Sequence, residues 1–168
     1  MGLSEIKTIT EEICDLDRQR RERFQQEFDR FESENLEEFA ETRAILDEER
    51  RKLETLDGQL KTEREEITDL DDKTEFLSVD QAVEHREESL EKLREHNRHL
   101  RIFCDSMRKG LEIVEENLQI LETAGPESVS DSPEAAFETT EAALEAHNES
   151  VAGLTKNLTI FNAYITGV

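Results

Sequence analysis

The residues of this chain with the widest chemical reach are four histidines, two cysteines and one short run of arginines. His96 and His99 stand three apart, with Glu95 beside them and His85 three helical turns earlier. On a helix an i, i+3 pair shares a face, so two such imidazoles can chelate a zinc ion. A di-iron bundle requires Glu-x-x-His on two helices. The residues three before His85, His96, His99 and His147 are Ala82, Leu93, His96 and Leu144, so that pattern is absent. His147 is followed by Asn-Glu-Ser and lacks the Glu-Leu-Arg and Pro that flank a phosphoacceptor histidine. Solvated helix histidines, with no metal and no cofactor, are the expectation. The run Arg18-Gln-Arg-Arg-Glu-Arg23 is the sole basic cluster. Arg18, Arg20, Arg21 and Arg23 can face an acidic partner or a nucleic acid, or simply pair with neighbouring glutamates. No Gly-rich phosphate loop and no Ser/His/Asp grouping is visible, so no catalytic activity is expected.

Composition narrows the setting. The formal charge is −22, from 43 acidic and 21 basic residues, and arginines outnumber lysines by 14 to 7. Such a surface repels nucleic acid, whose binding draws on Lys and Arg, and it repels anionic membranes. A basic protein or an apolar helix face suits it better. Excess carboxylate with scarce lysine fits a chain kept hydrated in concentrated salt, where charge is screened within about 3 Å. No basic-then-apolar leader opens the sequence and no stretch suits a bilayer span, so a cytoplasmic location is expected. The sequons at Asn148 and Asn157 then carry no meaning. Cys14 and Cys104 are far apart, and Cys104 lies on an apolar stripe, where a free thiol serves as a small hydrophobe.

Apolar stripes with 3-4 spacing must position these residues. The clearest is Phe76, Val79, Val83, Arg86, Leu90, Leu93, Asn97, Leu100, Cys104, Met107, Leu111, Val114, Leu118, Leu121, in which twelve of fourteen positions are apolar. That spacing keeps one seam of a helix against a partner helix. Asn97 reads as a register-fixing polar residue and Arg86 as a snorkelling or paired charge. An earlier frame runs Leu46, Leu53, Leu60, Ile67, with Leu56 and Leu70 on the adjoining row. The two frames are offset between Leu70 and Phe76, which places a turn between 71 and 78, with Ser78 and Gln81 as a capping box. Residues 124–132 read as a loop, Ser132-Pro133 starts another helix, and a last stripe runs from Phe137 to Ile165. Phe24, Phe28, Phe31 and Phe39 should meet Leu118 and Leu121 in one apolar knot, with Phe137 at the same level.

The expected fold is all-α, a single elongated module over 1–168. It is an antiparallel helical hairpin or three-helix bundle with coiled-coil packing and an N-terminal helical overhang. Its helices span about 4–71, 79–123 and 133–166. In that arrangement Ile6, Ile9, Ile13 and Leu16 overhang without a partner and offer a self-association seam. The C-terminal face around Phe161, Tyr164 and Ile165 offers a partner-binding surface. The expected role is a non-enzymatic coiled-coil scaffold or adaptor that self-associates and binds a protein partner in a high-salt cytoplasm. A holdase-like chaperone and a chromosome-organising factor using the arginine run are the alternatives.

Overall fold

A computed structural model describes residues 2–34 and 38–166. Five α-helices account for most of them: α1 Leu3–Glu34, α2 Ala40–Thr74, α3 Asp80–Ala124, α4 Glu134–Ser150 and α5 Leu154–Thr166. One turn of 3-10 helix, Pro126–Ser128, lies between α3 and α4, and no strand occurs among the described residues.

The first correction concerns the helix expected over 4–71. It is two helices, and α1 folds back along α2. Their register is antiparallel, because Glu5 meets Gln59, Glu12 meets Lys52, Arg20 meets Glu49 and Glu27 meets Thr42. No glycine or proline marks this reversal. The start of α2 is completed by side chains from other helices. The carboxylate of Glu27 accepts from the Thr42 amide at 2.6 Å and from the Thr42 hydroxyl at 2.7 Å. The Phe39 amide donates to Glu122 of α3 at 3.0 Å. Helix starts leave such amides without intrahelical partners, and here residues 15 and 83 positions away in sequence supply them.

Packing then continues around the chain. α2 meets α3 antiparallel through Arg43–Glu122 and Asn97–Leu60, and Arg50–Glu115 adds a further ion pair. The chain turns between Thr74 and Asp80, but the Ser78–Gln81 box does not form. Val79 stands at the cap position without a side-chain bond. Arg86 instead reaches back to Thr74 Oγ1 at 3.0 Å and pairs with Asp71. α4 and α5 return along α3, with Ser106 beside Thr140 and Gln81 bonded by Tyr164. The single helix expected over 133–166 is broken at Gly153, whose φ of +78° is open to glycine at little cost. Lys92 donates to the Ala152 carbonyl there.

The second correction follows from the first. Because α1 lies alongside α2, Ile6 and Ile13 are 1% and 0% exposed, inside one cluster with Leu53, Leu56, Leu60, Leu100 and Phe103. Ile9 packs against the same cluster and Leu16 is half-buried. No overhang exists, and the isoleucine row is spent inside the chain. The phenylalanine knot forms at the other end: Phe24, Phe28, Phe31 and Phe39 gather with Leu46, Leu118 and Leu121. Phe137 joins the central cluster instead.

Ile13→Ala should therefore cost about 2–5 kcal/mol, as truncation of a fully buried aliphatic side chain does, read as a lower urea midpoint. Deleting residues 2–20 should abolish cooperative unfolding. A truncated chain with an unchanged midpoint would show that α1 is a free overhang.

Candidate functional site

The polar interior is built on one row of α2. Taking Leu56 and Leu70 back and forward by seven gives Thr42, Glu49, Leu56, Glu63 and Leu70, and the first four are at most 1% exposed. Two glutamates thus occupy seam positions. Glu49 accepts from Arg20 Nε at 2.6 Å, and Arg20, 4% exposed, is also paired with Asp17. The other Glu49 oxygen has no partner. Burial pushes the Glu49 carboxyl up to about 7, against the pull of Arg20. Leaving one member of such a pair alone costs several kcal/mol, so the pair fixes α1 on α2 more than it adds net stability.

Glu63 anchors a second polar group. His96 lies 3.0 Å from Glu63 Oε2 through Nε2, and its Nδ1 lies 3.1 Å from Nδ1 of His147. Asn97 donates to the other Glu63 oxygen at 3.0 Å and to the Leu60 carbonyl at 2.8 Å. Glu63, His96, Asn97 and His147 are 1%, 3%, 2% and 8% exposed. Burial first, then the neighbouring His96 and His99, holds the His147 imidazole down to about 4. The expectation of solvated helix histidines fails for His96 and His147, which are buried against each other, and His96 and His99 share no site, since His99 pairs with Glu95 at 3.1 Å while His96 turns inward. Among the described residues no group of three or more His, Cys, Asp or Glu side chains can hold a metal ion.

Beside this interior lies a cleft of about 870 Å³ between α1, α3 and α4. Extended packing runs α1–α2, α2–α3 and α3–α4, but not α1–α4, so the ring of helices stays parted there. Phe24, Phe103, Met107, Val114, Leu118, Phe137 and Leu144 supply the apolar lining, and Asp17, Glu134, Glu138 and Glu141 supply acids. Phe137 is seated on Gly110 of α3: a Cβ there would stand 2.5 Å from its ring. The guanidinium carbons of Arg20 and Arg21 each lie 5.2 Å from the centre of the Phe137 ring, within cation–π range.

The arginine run is thus absorbed by its own surroundings. Arg18 pairs with Asp15, Arg20 with Asp17 and Glu49, Arg21 with Asp17, and Arg23 with Glu41. Phe161, expected on a partner-binding face, is 2% exposed and belongs to the interior. Tyr164 is 36% exposed and donates to Gln81 at 3.1 Å, while Ile165 is half-buried. Both cysteines are free: Cys14 lines the cleft, and burial pushes the Cys104 thiol up to about 12. Among the described residues, no helix is long and apolar enough to cross a membrane.

Sequence reasoning missed the buried glutamates Glu27, Glu49 and Glu63, Gly110 and the His96–His147 pairing. The seven-residue step from Leu56 marks Glu49 and Glu63, whereas Gly58 and Gly110 both sit inside helical rows and only Gly110 meets a neighbouring side chain. No local signal joins His96 to a residue 51 positions away. No protein-family model, curated protein or solved structure is matched by this chain.

Replacing an interior helical glycine by alanine ordinarily gains about 1 kcal/mol. At Gly110 the overlap with Phe137 should outweigh that gain and leave a net loss of about 1 kcal/mol. In a Phe137→Ala background the same substitution should stabilise. Equal gains in both backgrounds, measured by denaturant midpoints, would contradict this seating of α4.

Proposed function

We propose that the chain is a non-enzymatic helical adaptor that holds an amphipathic helix of a protein partner, with a basic polar face, in the cleft between α1 and α4. The observation that carries this reading is the cleft itself, an apolar trough with acids at its edges. An apolar stripe on an incoming helix would meet the half-buried Phe24, Val114, Phe137 and Leu144. Its flanking Lys and Arg would meet the exposed Glu134, Glu138 and Glu141. Helix-in-groove recognition of this kind takes affinity from buried anchors and choice of partner from charge. The net charge of −22 favours a basic partner over the whole surface as well.

The reading includes coiled-coil seams along α2 and α3 as the rigid frame, with Leu46, Leu53, Leu60 and Ile67 on one side of the hairpin and Leu90, Leu93, Leu100 and Leu111 on the other. It also includes the high-salt cytoplasm that the charge suggests. A second copy of the chain suits this cleft less well than a basic protein, since its isoleucine row is engaged inside the monomer and it carries the same net charge of −22.

A synthetic 18-residue helix with leucines on one face and Lys/Arg on the other tests it, by fluorescence anisotropy at 0.15 M salt, where screening acts over about 8 Å. The basic peptide should bind, and its Glu-faced counterpart should not. Glu138→Lys with Glu141→Lys should weaken binding about tenfold or more, and Leu144→Trp should block it by filling the trough. Equal binding of both peptides, no loss in the charge-reversed variant, or preference for an unfolded client or a small apolar dye would overturn the reading.

A further inference from the structure

Among the described residues, the contact between His96 and His147 is the one polar bridge at which three helices are linked through two titratable rings. Glu63 comes from α2, His96 from α3 and His147 from α4. The direction of the hydrogen bonds follows from the carboxylate. Glu63 accepts from Asn97 at one oxygen and from His96 Nε2–H at the other. A neutral His96 then carries no proton on Nδ1, and that nitrogen accepts from Nδ1–H of His147. His147 is left with a bare Nε2.

We propose that Glu63, His96 and His147 form a proton-operated latch that clamps α4 to the α2–α3 pair and frees it on acidification. A proton can enter only at the bare Nε2 of His147. Taking it puts a cationic ring among buried groups, its centre 4.8 Å from that of the His96 ring, and among the described residues no carboxylate pairs with it. Freed from α3, the same ring carries its charge in water, so acid favours release of α4.

The groups that act on His147 are His96 and His99 from α3 and Glu63 from α2, with no contribution from α1 or α5 among the described residues. His99 is itself held by Glu95, so Glu63 is the one carboxylate that acts directly on the pair. The sign follows from the shift. Freed into water, His147 titrates near 6.5, whereas in place it is held down to about 4. The freed state therefore binds more protons between those values, and the contribution of His147 to the hold on α4 is full above 6.5 and lost as pH falls towards 4. The freed population should rise about 20-fold between pH 7 and pH 5. Glu49, pushed up to about 7 on the α1–α2 side, takes its proton in place and works in the opposite sense there. Acid thus loosens α4 selectively. The latch stands whether or not the cleft binds a helix, although α4 is one wall of that cleft.

Amide hydrogen exchange of the full chain, corrected for intrinsic pH dependence, is the test. Amides of 134–150 should exchange about 20-fold faster at pH 5 than at pH 7, while those of 40–74 should not accelerate. His147→Asn, which can donate to His96 but cannot take a proton, should remove the acceleration. Unchanged protection of α4 in the native chain, or equal acceleration in the variant, overturns the latch. Should the variant not fold, nitrogen chemical shifts of the native imidazoles decide: the His147 ring should stay neutral at pH 6, and titration of that ring near 6.5 overturns the proposal.

Discussion

Three carboxylates, those of Glu27, Glu49 and Glu63, are taken almost completely out of water, and the arrangement of helices follows from where each finds its partner. Glu27 of α1 closes the start of α2 at Thr42, Glu49 of α2 holds Arg20 of α1, and Glu63 of α2 holds His96 of α3. A buried charge without a partner is costly by several kcal/mol. A shift of α1 along α2 by one helical turn would strand Glu27 and Glu49 together. Leucines tolerate such a shift, since one apolar contact replaces another. The apolar rows thus supply the attraction, and the buried acids restrict the register in which it can be realised.

What was legible in the sequence was what repeats locally. The seven-residue rows of α2 and α3 and the Gly-Pro break after α3 need no knowledge of the rest of the chain. The reversal of α1 was hidden because its stop is made at long range. Orphan amides at Phe39 and Thr42 are satisfied by Glu122 and Glu27, and nothing near residue 39 in sequence announces this. One continuous helix would leave the N-terminal isoleucines without a partner and free to associate, whereas the fold-back buries Ile6 and Ile13 within the chain. The buried acids were hidden by numbers: with 43 acidic residues, two on a seam row attract no notice unless the row is counted through. Gly153 lay inside an apparently regular stripe, and its positive φ splits the return rod into α4 and α5.

The cleft is the other face of the same geometry. α1 is committed to α2 by its ion pairs, and α4 is committed to α3 by Phe137 on Gly110, Thr140 on Ser106 and His147 on His96. Neither helix is drawn to the other, so a trough remains between them. Arg20 and Arg21 reach across to the Phe137 ring without closing it. A frame fixed by buried polar pairs, with one wall attached in part through a pair of histidines, is what the proposed binding and latch both rest on.

All of this depends on α1 lying back along α2 within one molecule. Spin labels at Ser4 and Thr62, both exposed, read that directly by pulsed dipolar spectroscopy, with labelled chains diluted into unlabelled ones. The fold-back places the labels within about 20 Å, since Glu5 and Gln59 are in contact, and dilution leaves that distance unchanged. An unbroken helix would set them roughly 85 Å apart at about 1.5 Å per residue. A long distance, or a short one that vanishes on dilution, would contradict the account.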